Sequence, residues 1–509
     1  MPTIRGVRDA FGQLLSSVRH FFRSRKSRKS RRLELAWTDT DRQKIVGTAL
    51  AMEPREGAMI ALARFSTGAT RDTVVLTSPI PPLPGDLNYD RGGFVVTVTG
   101  RYWNRAIDAL VDAGPGTGLA VLHTHPGNGV PQWSPDDNNA DEELARFLFG
   151  EGFLALDVPL VSLVVSHTDL RGRQLSLAHQ GQAVVMLPIE RVRTLGLARF
   201  EVSSTADRAR EPGELEVPPW AERSVRVFGK EGQRLLADLH IAVVGAGGVG
   251  SIVCEQIARW GIGRISIFDP DIIKDVNVNR SGVFTFDDAR RAALKAKTLA
   301  RALRSFSLVR TISVSSSSVD VRRREALAGL LDADLILMLV DDARARNFIN
   351  RVAYAHYIPA LDGGNVIRST AEDDADANSA TVEGGGVRVS YFTPTGACAW
   401  CAGHLDSARL ALAFRSDADK AADRARGYVE HLGPEHAPSV MPVNSLTAAL
   451  LEYRLQDLLF GLSGRPIPEI HFDILGGTLD ELPRKQRRHC RHCERWQGKG
   501  DSAELPFME

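Results

Sequence analysis

The sequence predicts an α/β protein of two domains: an N-terminal α+β domain, then a doubly wound, Rossmann-like parallel-sheet domain stapled by four cysteines. Three observations predict it. At 509 residues the chain exceeds one ordinary hydrophobic core. From residue 240 onward apolar strands alternate with helices, the pattern of a parallel sheet, whereas strands and helices before residue 200 follow no such alternation. Between them, residues 203–219 carry several prolines and little periodicity, as a linker does. The expected division is a basic leader over 1–39, a domain over 40–198, a linker over 199–222, a second domain over 223–495 and a tail over 496–509.

The elements follow in order. FFRSRKSRKSRR (21–32) is a dense basic block, read as a solvated leader in preference to a nucleic-acid or membrane tether. KIVGTALAM (44–52), AMIALARFS (58–66) and GGFVVTVTG (92–100) read as strands, and RYWNRAIDALVDAG (101–114) as a helix ending at glycine. GLAVLHTHP (118–126) is a strand, DNNADEELARFLFGEG (137–152) a helix, and LVSLVVSH (160–167) and QAVVMLPIE (182–190) strands again. In the second domain LHIAVVGAG, RISIFD, TISVSSSSV and ADLILMLVDD are strands, separated by VGSIVCEQIARWG, ARRAALKAKTLARAL (289–303) and a further helix. The acidic, Gly-rich stretch over 369–386 reads as an inserted loop.

Composition excludes several classes. With 43% hydrophobic and 25% charged residues the chain is globular, and a net charge of +1 gives no global field for nucleic acid. No apolar run reaches membrane-spanning length and no signal pattern is present, so the expected location is the cytoplasm.

His123 and His125 lie two apart on an apolar strand, so both side chains leave the same face and can grip one metal. Asp137 would complete a two-His, one-carboxylate zinc site with a position open for water, and Asp136 competes for that role. Ser134 is placed to hydrogen-bond a developing oxyanion, although Ser-Pro-Asp-Asp is also a good helix start. The HTHP…S..D segment resembles the JAB/MPN/Mov34 metalloproteases, the JAMM isopeptidases, over about residues 40–195. That resemblance implies that Glu56, in EPREGAMIALA, is the catalytic proton shuttle; the loop from HTHP to Ser134 is one residue longer than the family's common spacing.

Gly245, Gly247 and Gly250 form G-x-G-x-x-G between a strand and a helix, with Gly248 inside the loop, a phosphate-binding turn. Asp269 ends the next strand and can hold ribose hydroxyls. Asn277, Arg280 and Lys295 then supply the polar and cationic groups that charge building on phosphate oxygens needs, and Asp341 stands where a magnesium ligand belongs. The ordered set RSVRVFGKEGQRLL, VVGAGGVGS, FDPDIIKDVNVNR, KAKTLARAL, LVDD and PTGACAWC resembles the ThiF/MoeB-like, ubiquitin-activating-type adenylyltransferases. That resemblance implies Mg-ATP as cosubstrate, with Lys297 an alternative to Lys295, and a homodimer in which Arg223 or Arg226 reaches the partner's site.

Cys398 and Cys401 pair with Cys490 and Cys493 as two CxxC knuckles, a structural zinc site. The fifth cysteine, Cys254, reads as a buried helical thiol, so no cysteine is left to carry a thioester. The whole implies a bifunctional protein of a ubiquitin-like modification, sulfur-transfer or antiviral-defence system. It would process or remove a small β-grasp modifier with a Gly-Gly-like tail, adenylate that tail, and pass it to a separate cysteine-bearing carrier. A nucleotide-binding scaffold with an inactive first domain and a dinucleotide-dependent oxidoreductase are the rivals.

Overall fold

The computed structural model describes residues 31–90, 96–178, 183–205, 217–305, 312–370, 379–416, 419 and 438–508. In the first domain β1 (Arg32–Thr38), β2 (Ala58–Thr67), β3 (Arg71–Ile80), β6 (Thr117–Thr124), β7 (Leu160–Val165), β8 (Leu170–Leu177), β9 (Val184–Pro188), β10 (Arg191–Leu195) and β11 (Phe200–Ser204) form one mixed sheet. Its order is β11-β10-β1-β3-β2-β6-β7-β8-β9. A two-stranded ribbon, β4 (Leu87–Tyr89) with β5 (Val96–Val98), lies apart from it. Helices α1 (Gly100–Ala113) and α2 (Pro135–Gly150) bury Tyr102, Ala106, Ala145 and Leu148 against Ile60, Leu62, Leu119 and Leu160.

The second domain holds α3 (Glu222–Asp238), β12 (His240–Val244), α4 (Gly248–Trp260), β13 (Arg264–Phe268), α5 (Asp275–Val278), α6 (Lys295–Ser305) and β14 (Ser313–Ser317). It continues with β15 (Leu335–Met338), α7 (Ala343–His356), β16 (Ala360–Ser369), β17 (Val382–Phe392), α8 (Met441–Phe460), β18 (Glu469–Asp473), β19 (Thr478–Leu482) and α9 (Arg491–Trp496). The sheet order is β14-β13-β12-β15-β16-β17-β18-β19, parallel through β16 and antiparallel beyond. Every residue of β12 and β15 is buried, as in a sheet covered on both faces. The order reverses between β12 and β15, so the crevice at their carboxyl ends is the expected ligand position.

Several expectations are corrected. Residues 44–52 do not form a strand: a helical run spans 39–50, because Thr38 caps it by accepting from the Asp41 N–H at 2.9 Å, and Ile45 and Ala49, one turn apart, bury one face. The first sheet begins at Arg32, inside the stretch read as a leader, because Leu33, Leu35 and Trp37 alternate into the core. It also extends past residue 199, since β11 pairs antiparallel with β10. The helix expected over 289–303 is broken where Ala292 takes φ 45°, and α6 begins only at Lys295. Part of the inserted loop is strand, Gly384–Gly386 belonging to β17; residues 371–378 lie outside the described residues. The tail is also packed: Trp496 is buried, Asp501 accepts from Thr67 N and Oγ1, and Phe507 meets Phe348 edge to face.

Candidate functional sites

The first site sits at the carboxyl end of β6. His123 lies opposite Ala58 of β2, which places Glu56, two residues earlier, beside it. Ser134 caps α2: its hydroxyl accepts from Asp137 N at 3.1 Å while Ser134 N donates to Asp137 Oδ2 at 2.7 Å. That reciprocal cap turns the Asp137 carboxylate toward the strand, where it stands 3.1 Å from His123 Nε2 and 3.5 Å from His125 Nε2. One ligand atom from each of the three lies within 4.8 Å of the others, a spacing that fits one metal ion. Asp136 is exposed and points to no such cluster, so the structure brings Asp137 to the imidazoles.

Burial raises the Glu56 carboxyl above its ordinary value, opposed by the nearby His123 and His125; it also accepts from Val96 N at 3.3 Å. Asp137 is held far below the usual carboxylate range by hydrogen bonds from both histidines, against its own desolvation. Arg173 fixes the ligand helix from outside, bonding Asp141, Asn138 and the Asp137 carbonyl and lying 3.8 Å over the Trp133 ring. Nothing in the sequence spacing marks Arg173, which is 36 residues from Asp137.

The second site is the loop after β12. Gly245 takes φ 103°, and a Cβ there would meet the Leu339 carbonyl; at Gly250 it would meet the Gly245 carbonyl. Gly247, the N-cap of α4, faces open space, which is what a phosphate needs to approach the helix N-terminus. Asp269 is buried and accepts from Ala246 N at 2.7 Å and Asp271 N at 2.9 Å, so it braces the loop; burial raises its carboxyl and Lys295 lowers it. Lys295 Nζ lies 2.8 Å from Asp271 Oδ2 with a side chain 12% exposed, whereas Lys297 is exposed. Asn277 Oδ1 accepts from Lys274 N, and the Arg280 carbonyl closes over Gly248. Asp341 is exposed at the mouth of the crevice, while its neighbour Asp342 caps α7 and pairs with Arg344.

Sequence reading missed the far wall of this crevice. Asn444, buried in the first turn of α8, lies over Gly248 and bonds the Arg280 carbonyl at 3.4 Å and Asn365 at 3.1 Å. Buried Asp362 takes Arg346 at 2.5 Å and Arg388 at 2.9 Å. These residues come from elements up to 164 positions away, so no local pattern announces them.

Elsewhere, the sulfurs of Cys398, Cys401, Cys490 and Cys493 lie within 4.8 Å of one another, with Cys398–Cys490 at 3.9 Å and Cys401–Cys493 at 3.7 Å. Four thiols so gathered fit a tetrahedral zinc ion. Cys254 is fully buried in α4, and burial pushes its thiol far up. Arg223 is exposed on α3, and among the described residues no hydrogen bond or ion pair joins it to the loop of its own chain; Arg226 pairs with Glu222.

Residues 221–425 match the model of the ThiF family. The chain is 30% identical over 139 residues to the sulfur carrier protein ThiS adenylyltransferase of Bacillus subtilis, covering 27% of this chain and 41% of that protein. It is 29% identical over 136 residues to the SAMP-activating enzyme E1 of Haloferax volcanii, covering 26% and 48%. The matched stretch thus spans less than half the length of these relatives. A solved structure of E. coli MccB with ATP aligns at 18% identity over 55% of this chain and 75% of that one, with a TM-score of 0.41.

Proposed function

We propose that the second domain adenylates the C-terminal carboxylate of a small ubiquitin-like or sulfur-carrier protein, and that the first domain is a zinc-dependent peptidase acting on the same class of modifier. The observation that carries the first half is the loop itself: Gly247 is open to a phosphate, Asp269 braces the loop through Ala246 N, the Arg280 carbonyl lies against Gly248 and Lys295 stands near enough to Asp269 to lower its carboxyl, within the stretch that matches the ThiF family. Here the tail carboxylate attacks the α-phosphate of ATP and pyrophosphate leaves. Arg280 and Lys295 would offset the charge gathering on phosphate oxygens, and Asp341 would hold a magnesium ion, which supplies charge neutralisation for the departing group when bound. A homodimer through this domain, with Arg223 or Arg226 reaching the neighbouring loop, belongs to the same reading; Val227, next to Arg226, is 71% exposed.

The second half rests on the convergence of His123, His125 and Asp137 beside a Glu56 whose proton affinity is raised. Zinc bound there would acidify a water. Glu56 would accept a proton from a water at this site and return it to the leaving amine. Ser134 is engaged as a helix cap through its acceptor side, which leaves its hydroxyl proton to donate to an oxyanion.

Pyrophosphate–ATP exchange tests the first half, run with ubiquitin-like proteins ending in Gly-Gly. Exchange should appear with a cognate protein and fall at least about a hundredfold in Arg280→Ala and Asp341→Ala. Tightly co-purifying NAD or FAD, with no exchange, would favour an oxidoreductase instead.

A further inference from the structure

Where the first domain meets the C-terminal segment, a cavity of about 650 Å³ opens between β2, the end of α1 and residues 495–504. Arg64 forms its inner wall. This side chain is buried, donates only to the carbonyls of Gly498 at 3.4 Å and Ala113 at 3.1 Å, and leaves its Nε without a partner. Among the described residues no carboxylate pairs with it. Lys499 lines the same cavity, half-buried and likewise without an ion pair among the described residues; burial and the charge of Arg64 lower its pKa. Arg495 stands at the rim, 3.7 Å from Glu504, both largely exposed. Three cations therefore face one exposed acid.

Removing a cation from water without a counter-charge is costly, and an anion entering the cavity relieves that cost. Of the remaining wall residues Ala113, Pro115, Ala503 and Trp496 are apolar, with Gly116 and the hydroxyl-bearing Ser502 beside them. We infer that this junction cavity binds an organic oxyanion, a phosphate or carboxylate group on a compact apolar body, with Arg64 and Lys499 as its paired cations. The site is distinct from both described above. Arg64 lies six residues along β2 from Ala58 and the histidines, and Gly498 hydrogen-bonds Tyr354, near the end of α7 that precedes β16, at the foot of the parallel sheet. Because its walls come from the first domain and from the C-terminal segment together, the ligand would bind only the docked arrangement and so stabilise it.

Calorimetric titration and thermal-shift measurements on the full chain test the inference, with phenyl phosphate, benzoate, inorganic phosphate and uncharged benzyl alcohol as probes. Phenyl phosphate or benzoate should bind saturably and raise the melting temperature, with benzyl alcohol silent. Phenyl phosphate without benzoate would assign a phosphate ester, and both together any oxyanion. Lys499→Gln, which removes an uncompensated cation and should leave the unliganded melting temperature no lower, is expected to weaken binding at least about tenfold. Lys295→Ala, at the nucleotide loop, should leave it intact. No saturable binding by either charged probe at millimolar concentration would overturn the inference. So would binding that survives Lys499→Gln and is lost in Lys295→Ala.

Discussion

In the proposed peptidase Glu56 and the imidazoles beside it have separable jobs, because one would move protons and the others would hold a metal. Glu56→Gln is therefore expected to cut peptide cleavage by about 10²–10⁴-fold while leaving two zinc ions per chain, and His123→Ala to lose both cleavage and one zinc. Metal analysis beside a cleavage assay on a Gly-Gly-linked fusion checks this; unchanged zinc in His123→Ala would remove the site. Cys254 makes a contrasting case. Burial raises its thiol far above the ordinary range, so it is a poor nucleophile, and no reductant-sensitive ATP-dependent adduct should form on this chain. A gel shift abolished by Cys254→Ser would overturn that. Glu452 shows the same physics in a carboxyl: burial pushes it up to about 8, and its Oε1 has no partner. The unfolded chain loses that proton near its ordinary 4.5, whereas the folded chain keeps it until about 8. Stability from this residue therefore falls as pH rises between those values. Glu452→Gln should raise the melting temperature at pH 8 and leave it nearly unchanged at pH 4.

Within the β12–α4 loop, three glycines that look equivalent in the sequence do different work. Gly245 and Gly250 are required by the backbone, one by its positive φ and both by carbonyls that a Cβ would strike. Gly247 is required only by what must approach it. Gly245→Ala and Gly250→Ala should thus destabilise the protein by roughly 1–3 kcal/mol or more, whereas Gly247→Ala should fold normally and lose nucleotide affinity. Melting curves beside ATP titration separate the two; a Gly247→Ala that binds ATP normally would contradict the reading. The loop was legible because strand, glycine spacing and helix are local and obligatory. The histidine strand was legible for the same reason, and the cap that aims Asp137 was visible as Ser-Pro-Asp-Asp. Residues 44–52 look like a strand because the run is short and apolar, and the Thr38 cap that starts the helix lies six residues before it. β1 was hidden behind a basic run, although Leu33, Leu35 and Trp37 alternate correctly. Asn444, Asp362 and Arg173 could not be read at all, because their roles exist only once distant elements meet.

The two domains are joined by buried charge as well as apolar surface. Ala36, Val75, Leu195 and Phe200 of the first sheet enter the core of the second domain. Beside them Arg71 reaches Glu34 at 3.0 Å and Asp334 at 2.6 Å, and Arg191 reaches Glu34 at 3.0 Å and Asp334 at 3.2 Å. Burial pushes the His240 imidazole down to about 4, leaving it neutral, while the backbone N–H of His240 donates to Asp334. Asp334 precedes β15, so this junction lies beneath the amino ends of the parallel strands and the nucleotide loop opens at their carboxyl ends. The histidine cluster is equally remote, since Ala58 and Thr67 stand at opposite ends of a ten-residue strand about 30 Å long. Changes at Asp341 should accordingly leave peptide cleavage untouched. The junction itself should be sensitive to acid. Asp334 and Glu34 are held below their ordinary values by Arg191 and Arg71, against their own desolvation. Their contribution is therefore complete above about pH 4.5 and is lost as pH falls below it. Asp334→Ala leaves two buried arginines sharing the single carboxylate of Glu34 and should cost roughly 3–5 kcal/mol at pH 7. The same substitution should also remove this carboxylate's share of the acid-dependent loss, so that the variant's stability falls less steeply than the parent's between pH 5 and 3. Denaturant unfolding across that range decides it: if parent and variant lose stability in parallel, the buried carboxylates are not what couples the domains to pH.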